Sequence, residues 1–158
     1  MQKTAITKIL KDSPFSLVLS GGGALGIAHL GVLHDLEQHH LTPSEIIGTS
    51  MGGIIAACMA IGLKESQILS HIKDFSSVSK WIKFSFSGNA IVDNSKIERI
   101  LSSIFQDKKM KETLIPLKLI STNIQNGHKR VFTAQDDIYI KDAVLATMAI
   151  PGFLMSIL

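Results

Sequence analysis

Gly48-Thr49-Ser50-Met51-Gly52 is the stretch of this 158-residue chain best suited to chemistry. A serine between two glycines in GxSxG spacing is the pattern of a nucleophile elbow, a strained strand-to-helix turn that pushes the hydroxyl into the open. Side chains at the glycine positions would collide with neighbouring backbone or with a substrate. A serine so presented can attack an ester carbonyl once a base takes its proton. Small-residue pentapeptides arise by chance, so the flanks decide: Glu45-Ile46-Ile47 reads as a strand, and Ile54-Ile55-Ala56-Ala57 as a helix.

A second glycine motif precedes the first. Gly21, Gly23 and Gly26 satisfy GxGxxG between an apolar run and a helical pattern, which raises a dinucleotide site. That reading needs an acid at the end of the second strand to hold the ribose hydroxyls, and here the strand runs out in Gly48-Thr49-Ser50. The alternative use fits better. Backbone N–H groups at a helix start can receive the negative oxygen that develops when a serine attacks an ester, and such a donor is worth about 3 kcal/mol. Two adjacent parallel strands would bring this turn and Ser50 out at the same edge of a sheet, with nucleophile and oxyanion donors as neighbours.

The base is harder to find. Asp93 reads as helix-capping material, and Asp136, Asp137 and Asp142 lie in or beside a polar turn and helix start, where capping or solvation accounts for them. His29 falls inside the first helix as a packed or half-buried residue. His34, His39, His40, His71 and His128 show no metal-ligand spacing and no paired carboxylate, so no metal is expected. Cys58 reads as a small buried hydrophobe that can form no intrachain disulfide.

The elements that must position Ser50 are legible in the apolar pattern. Phe15 to Ser20 is a first strand of the kind buried on both faces of a parallel sheet, followed by the glycine turn and a helix with Ile27, Leu30, Leu33 and Leu36 on one stripe, ending near His39 to Pro43. Glu45 to Thr49 is the second strand. A helix over Lys64 to Phe75 buries Ile68, Leu69 and Ile72. Ser95 and Glu98 are spaced as a capping box for a helix with Ile97, Ile100, Leu101, Ile104 and Phe105 inward, and Gln106 to Glu112 is a charged, solvated connection. Pro116 to Asn123 is a third strand, Asn126-Gly127 a hairpin turn and Lys129 to Thr133 the return strand. A last helix carries Ala143, Val144, Ala146 and Met148 and stops at Pro151-Gly152. This order makes an α/β fold with a mostly parallel sheet and flanking helices.

Composition bounds the rest. The chain is 46% hydrophobic and 18% charged with net charge +3, a compact globular profile without the dense Lys/Arg run of a nucleic-acid binder. Ile46 to Leu63 carries no charge, but Gly48, Gly52, Gly53, Gly62 and the Thr49-Ser50 pair interrupt it, and it reads as strand plus buried helix rather than a membrane span. The segment from Met1 to Pro14 lacks the apolar core of a secretory signal, so a cytoplasmic location is expected, peripheral to membrane. Val78 to Phe86 mixes Trp81, Ile82, Phe84 and Phe86 with Lys80 and Lys83, a composition suited to a lipid interface or to a packed loop.

SGGGALGIAHLGVLHDLE and IIGTSMGGIIAACMAIG together resemble the patatin-like phospholipase family in motif order and spacing, and PLKLISTNIQNGHKRVFT and AVLATMAIPGF are similar to it too. The resemblance runs from Phe15 to Phe153. It implies a patatin-like three-layer fold and a serine lipid acyl hydrolase working by a Ser-Asp dyad without metal or cofactor. Ser50 is then the nucleophile, set in the elbow Gly48, Thr49, Met51 and Gly52, while Gly21, Gly22, Gly23 and Ala24 supply oxyanion donors. Two departures stand out. Leu25 occupies a position where the family often has Arg or Lys. The family's aspartate lies in Asp-Gly-Gly or Asp-Gly-Ala after the segment matching Ala149-Ile150-Pro151, and no aspartate of this sequence precedes a glycine. The expectation is a 1–14 extension followed by an acyl hydrolase domain over 15–158 that is incomplete at its C-terminus and inactive or impaired. Its partners would be acyl esters at a lipid surface and no nucleic acid, with self-association through the apolar Phe153 to Leu158. A non-catalytic lipid-binding or interaction module of the same fold is the alternative, and a dinucleotide-binding module the weaker one.

Overall fold

The computed structural model describes residues 2–73 and 94–149. The Val78 to Phe86 segment, Asp93, Ile150, the Pro151-Gly152 stop and the apolar Phe153 to Leu158 lie outside the described residues. The described residues form a four-stranded sheet in the order β1-β2-β3-β4. Its strands are β1 (Ser16–Leu19), β2 (Glu45–Gly48), β3 (Leu117–Thr122) and β4 (Lys129–Phe132). The first three are mutually parallel, and β4 returns antiparallel through the turn at Asn126-Gly127.

Register aligns the ends of the first two strands. Leu19 lies opposite Gly48 and Gly48 opposite Leu119, so β1 and β2 end level while β3 runs on in the same direction to Thr122. The turns after these strands therefore leave the sheet at one edge, the usual place for a site in an open parallel sheet. At the other edge Glu45 accepts from the Ser16 hydroxyl at 2.8 Å and pairs with Lys118 at 2.7 Å, which holds its carboxyl below the usual range, the Lys118 bond first.

One face of the sheet is packed. Leu19, Ile46, Leu117, Leu119 and Phe132 are buried, against α3 (Met51–Ala60) and α6 (Ile140–Met148), with α5 (Asn94–Phe105) behind α6. α3 is buried along Gly52 to Cys58 and again at Ala60, as its uncharged sequence predicts; among the described residues no helix is long and apolar enough to cross a membrane. α1 (Gln2–Asp12) precedes the sheet and reaches α2 (His29–Gln38), where Leu10, Val32, Leu36 and Leu41 line a common pocket. A further helix, α4, covers residues 65–73 and buries Ile68 and Ile72, with Leu69 half-buried.

Four expectations change. The strand Phe15 to Ser20 is not buried on both faces: its burial alternates and Val18 is 66% exposed, because among the described residues only the face carrying Leu19 is fully covered. Ile27 does not share the stripe of Leu30, Leu33 and Leu36. The chain leaves the glycine turn as a 3₁₀ helix, Gly23–Ala28, whose three residues per turn put Ile27 out of phase with α2. Ser95 lies inside α5, which begins at Asn94, rather than ahead of it; its hydroxyl lies within reach of Arg99 one turn on. The connection Gln106 to Glu112 is not merely solvated. Met110 is fully buried at the start of a 3₁₀ turn, Met110–Glu112, and Lys109 bridges to Tyr139, tying this connection to the start of α6.

Candidate active site

Ser50 joins β2 to α3 with φ 52° and ψ −128°, a conformation L-residues rarely take. Serine is a favoured N-cap, yet its hydroxyl makes no capping bond here. The Ser50 carbonyl instead begins the helix, accepting from Gly53 N–H at 2.8 Å and Ile54 N–H at 3.1 Å. Among the described residues Ser50 Oγ has no hydrogen-bond partner.

Close approach of strand and helix explains the flanking glycines. A Cβ on Gly48 would lie 2.7 Å from the Gly52 carbonyl oxygen and from Gly53 Cα. One on Gly52 would collide with the carbonyl oxygens of Leu19 and Ser20, on the neighbouring strand β1 and just past its end. The crowding is therefore against backbone, which cannot rotate away. Met51 packs under the glycine turn, where a Cβ on Gly26 would meet its Cγ at 2.6 Å.

The glycine turn lies beside the elbow. A Cβ on Gly21 would come within 3.2 Å of Ser50 Cβ and 3.9 Å of Ser50 Oγ. Gly22 and Gly23 have φ 147° and 53° and lead into the 3₁₀ turn, whose first N–H groups, at Gly23 and Ala24, have no acceptor within the helix. Gly22, Gly23, Ala24 and Leu25 are all exposed. Register accounts for the juxtaposition: Thr49 N–H donates to the Leu19 carbonyl at 3.2 Å, prolonging the β1–β2 pairing up to the serine.

Next to Thr49, between β3, the hairpin and α6, lies an open pocket of about 530 Å³ lined by Thr49, Ile120, Asn123, Ile124, Ala146 and Thr147 among others, with no charged side chain among the described residues of its wall. Thr147 reaches the elbow from α6. Its hydroxyl accepts the Ser50 N–H at 3.0 Å and donates to the Ile120 carbonyl, beside Thr49 Oγ1, which donates to the same carbonyl at 3.2 Å. Reasoning from sequence gave Thr147 no role; its one signal was a hydroxyl in the apolar run of α6.

The candidate bases are engaged elsewhere. His29, half-buried, donates Nε2–H to the Ser20 carbonyl at 2.9 Å. Asp136 accepts from the Thr133 N–H at 2.8 Å and pairs with Arg130; that backbone bond leads in holding its carboxyl low. Asp137 is exposed and binds Lys109 at 2.6 Å, which lowers its pKa and raises that of the lysine. Asp142 sits in the first turn of α6, where a negative charge suits the helix dipole. His34 lies 3.8 Å from Glu65, and the His39 ring meets the Asp35 carbonyl at 2.8 Å. Burial pushes the Cys58 thiol up to about 12, as suits a core residue. Among the described residues no group of three His, Cys, Asp or Glu is placed to hold a metal.

Residues 17–157 match the family described as Patatin-like phospholipase. The chain belongs to this family. It is 33% identical over 111 residues to triacylglycerol lipase ptl3 of Schizosaccharomyces pombe, covering 61% of this chain and 23% of that protein. To patatin-like phospholipase domain-containing protein 6 of Homo sapiens it is 27% identical over 154 residues, covering 94% of this chain and 11% of that protein. Among solved structures, the crystal structure of the type III effector protein ExoU has a TM-score of 0.59 at 19% identity, over 88% of this chain and 40% of that one, a likeness of fold. The chain thus spans less than a quarter of the length of either curated relative.

Proposed function

We propose that Ser50 is the nucleophile of a lipid acyl hydrolase and that Gly21, Gly22, Gly23 and Ala24 form its oxyanion turn. The observation that carries this reading is the positive φ of Ser50, which leaves its hydroxyl out of the helix cap and beside Gly21. As a base takes the hydroxyl proton, attack of Oγ on an ester carbonyl would form a bond to the carbonyl carbon and move its π electrons onto oxygen, next to the N–H groups of the glycine turn. Collapse would break the ester C–O bond, return that proton to the leaving oxygen to release the alcohol, and leave an acyl-serine for water to cleave. Fatty-acyl esters at a lipid surface are the substrate class proposed, supported by family membership, by the named activity of the lipase relative and by the pocket next to Thr49, uncharged among its described residues.

The general base, an aspartate in the family's dyad, is proposed to lie outside these 158 residues, since no aspartate of this sequence precedes a glycine, Asp136 serves the turn at Thr133 and Asp137 pairs with Lys109. An oxyanion turn without its base retains part of the catalysis. The chain should therefore react slowly with a fluorophosphonate in a manner abolished by Ser50→Ala, while a short-chain chromogenic ester is turned over barely above the Ser50→Ala background. Labelling that survives Ser50→Ala sinks the nucleophile assignment. Vigorous turnover sinks the missing base. The same engagement of Asp136, Asp137 and His29 supports a second reading, a non-catalytic lipid-binding module, which vesicle binding with no labelling at all would favour.

A further inference from the structure

Thr147 is the buried polar side chain of the described core, 7% exposed, at the end of α6 and ninety-seven positions from the serine whose backbone it holds. Both halves of the side chain are used. The hydroxyl accepts the Ser50 N–H at 3.0 Å and gives its single proton to the Ile120 carbonyl, with Thr49 Oγ1 at 3.3 Å as a neighbour. The methyl faces α3, where a Cβ on Gly53 would stand 2.8 Å from Thr147 Cγ2. One residue of α6 thereby ties the elbow to β3.

The Ser50 N–H needs this partner for a geometric reason. At φ 52° it is turned out of the β1–β2 ladder, which ends with the Thr49 N–H on Leu19. As the N-cap of α3, Ser50 comes before the helix's own hydrogen-bonded N–H groups. Rotation about φ swings the N–H and the Cα–Cβ bond relative to each other, so holding the N–H against Thr147 restrains one end of that torsion and with it the side from which Cβ carries Oγ beside Gly21. A strained dihedral persists only where its surroundings over-determine it.

We infer that Thr147 is a positioning residue: its hydroxyl, through the Ser50 N–H, holds the serine in the positive-φ conformation that presents Oγ beside the glycine turn. This rests on Ser50 being the nucleophile, and the test separates the two. Thr147→Val keeps the shape and removes the hydroxyl, whereas Thr147→Ser keeps the hydroxyl and removes the methyl against Gly53. Two quantities are read in the 158-residue chain: amide hydrogen exchange at Ser50 relative to Ile54 by NMR, and the second-order rate of fluorophosphonate labelling.

In Thr147→Val the Ser50 amide should exchange at least about tenfold faster relative to Ile54, with labelling at least about tenfold slower, the scale of one lost hydrogen bond. Thr147→Ser should hold both within about threefold of the parent, a rescue that a purely packing role would not give. Should Thr147→Val fail to fold, Thr147→Ala against Thr147→Ser isolates the hydroxyl in the same way. Unchanged exchange in Thr147→Val overturns the inference, as does a Thr147→Ser as impaired as Thr147→Val. If the parent chain is not labelled, the non-catalytic reading gains, and amide exchange alone decides whether Thr147 holds the elbow.

Discussion

Gly48 and Gly52, on either side of Ser50, are glycines for want of space, whereas Gly22 and Gly23, after β1, are glycines because their positive φ would strain a residue with a side chain. Around Gly48 and Gly52 the backbone of β1 and α3 stands where a Cβ would go. A Cβ on Gly23 would meet no heavy atom within 4 Å beyond its own stretch of chain, yet φ is 53°. Both turns leave the same sheet edge and each leads into a helix. One is packed and the other open. On the proposed assignment the contrast has a reason: a nucleophile has to be held in one direction, which crowding achieves, while oxyanion donors have to face a substrate, which requires an exposed backbone.

Substitutions that add a single methyl test this contrast. Gly52→Ala puts a Cβ onto two carbonyl oxygens of fixed backbone and should lower stability by about 3 kcal/mol or more, read from the midpoint of urea unfolding. A loss under about 1 kcal/mol would mean that β1 and α3 can separate, and the crowding explanation would fail. Gly23→Ala meets open space and only a left-handed dihedral, so the expected loss is about 1 kcal/mol. Were it to match Gly52→Ala, the distinction between space and dihedral would collapse. At Ser50 the dihedral can be isolated by comparing Ser50→Gly with Ser50→Ala, since both remove the hydroxyl and only glycine relieves the positive φ. Glycine should be the more stable of the two by about 1 kcal/mol, less than the strain itself because glycine also gains freedom in the unfolded chain. Alanine equal to glycine would mean that the elbow is not strained.

Local pattern revealed much of this architecture. GTSMG and GGGALG marked the two turns, and the four strands fall within a residue or two of where apolar runs place them, because a short apolar run between glycine turns has few alternatives. The dihedral reason for Gly22 and Gly23 could not be told from the packing reason for Gly48 and Gly52, since glycine satisfies both. Val18 was misplaced for a different reason: a run such as SLVL is apolar whether one face or two are covered. Ile27 failed because the 3.6-residue phase of α2 begins only after a 3₁₀ turn that apolar spacing does not disclose.

The sequence by itself determined the two strand–turn–helix units, the serine and the glycines that make such turns feasible, because these depend on steric rules spanning a few neighbouring residues. Tertiary structure alone decided that Gly21 lies against Ser50, that His29, Asp136 and Asp137 are bound elsewhere, and that a threonine from α6 grips the serine's N–H. Those are contacts between residues that strand register and helix packing bring together, and no local pattern encodes them.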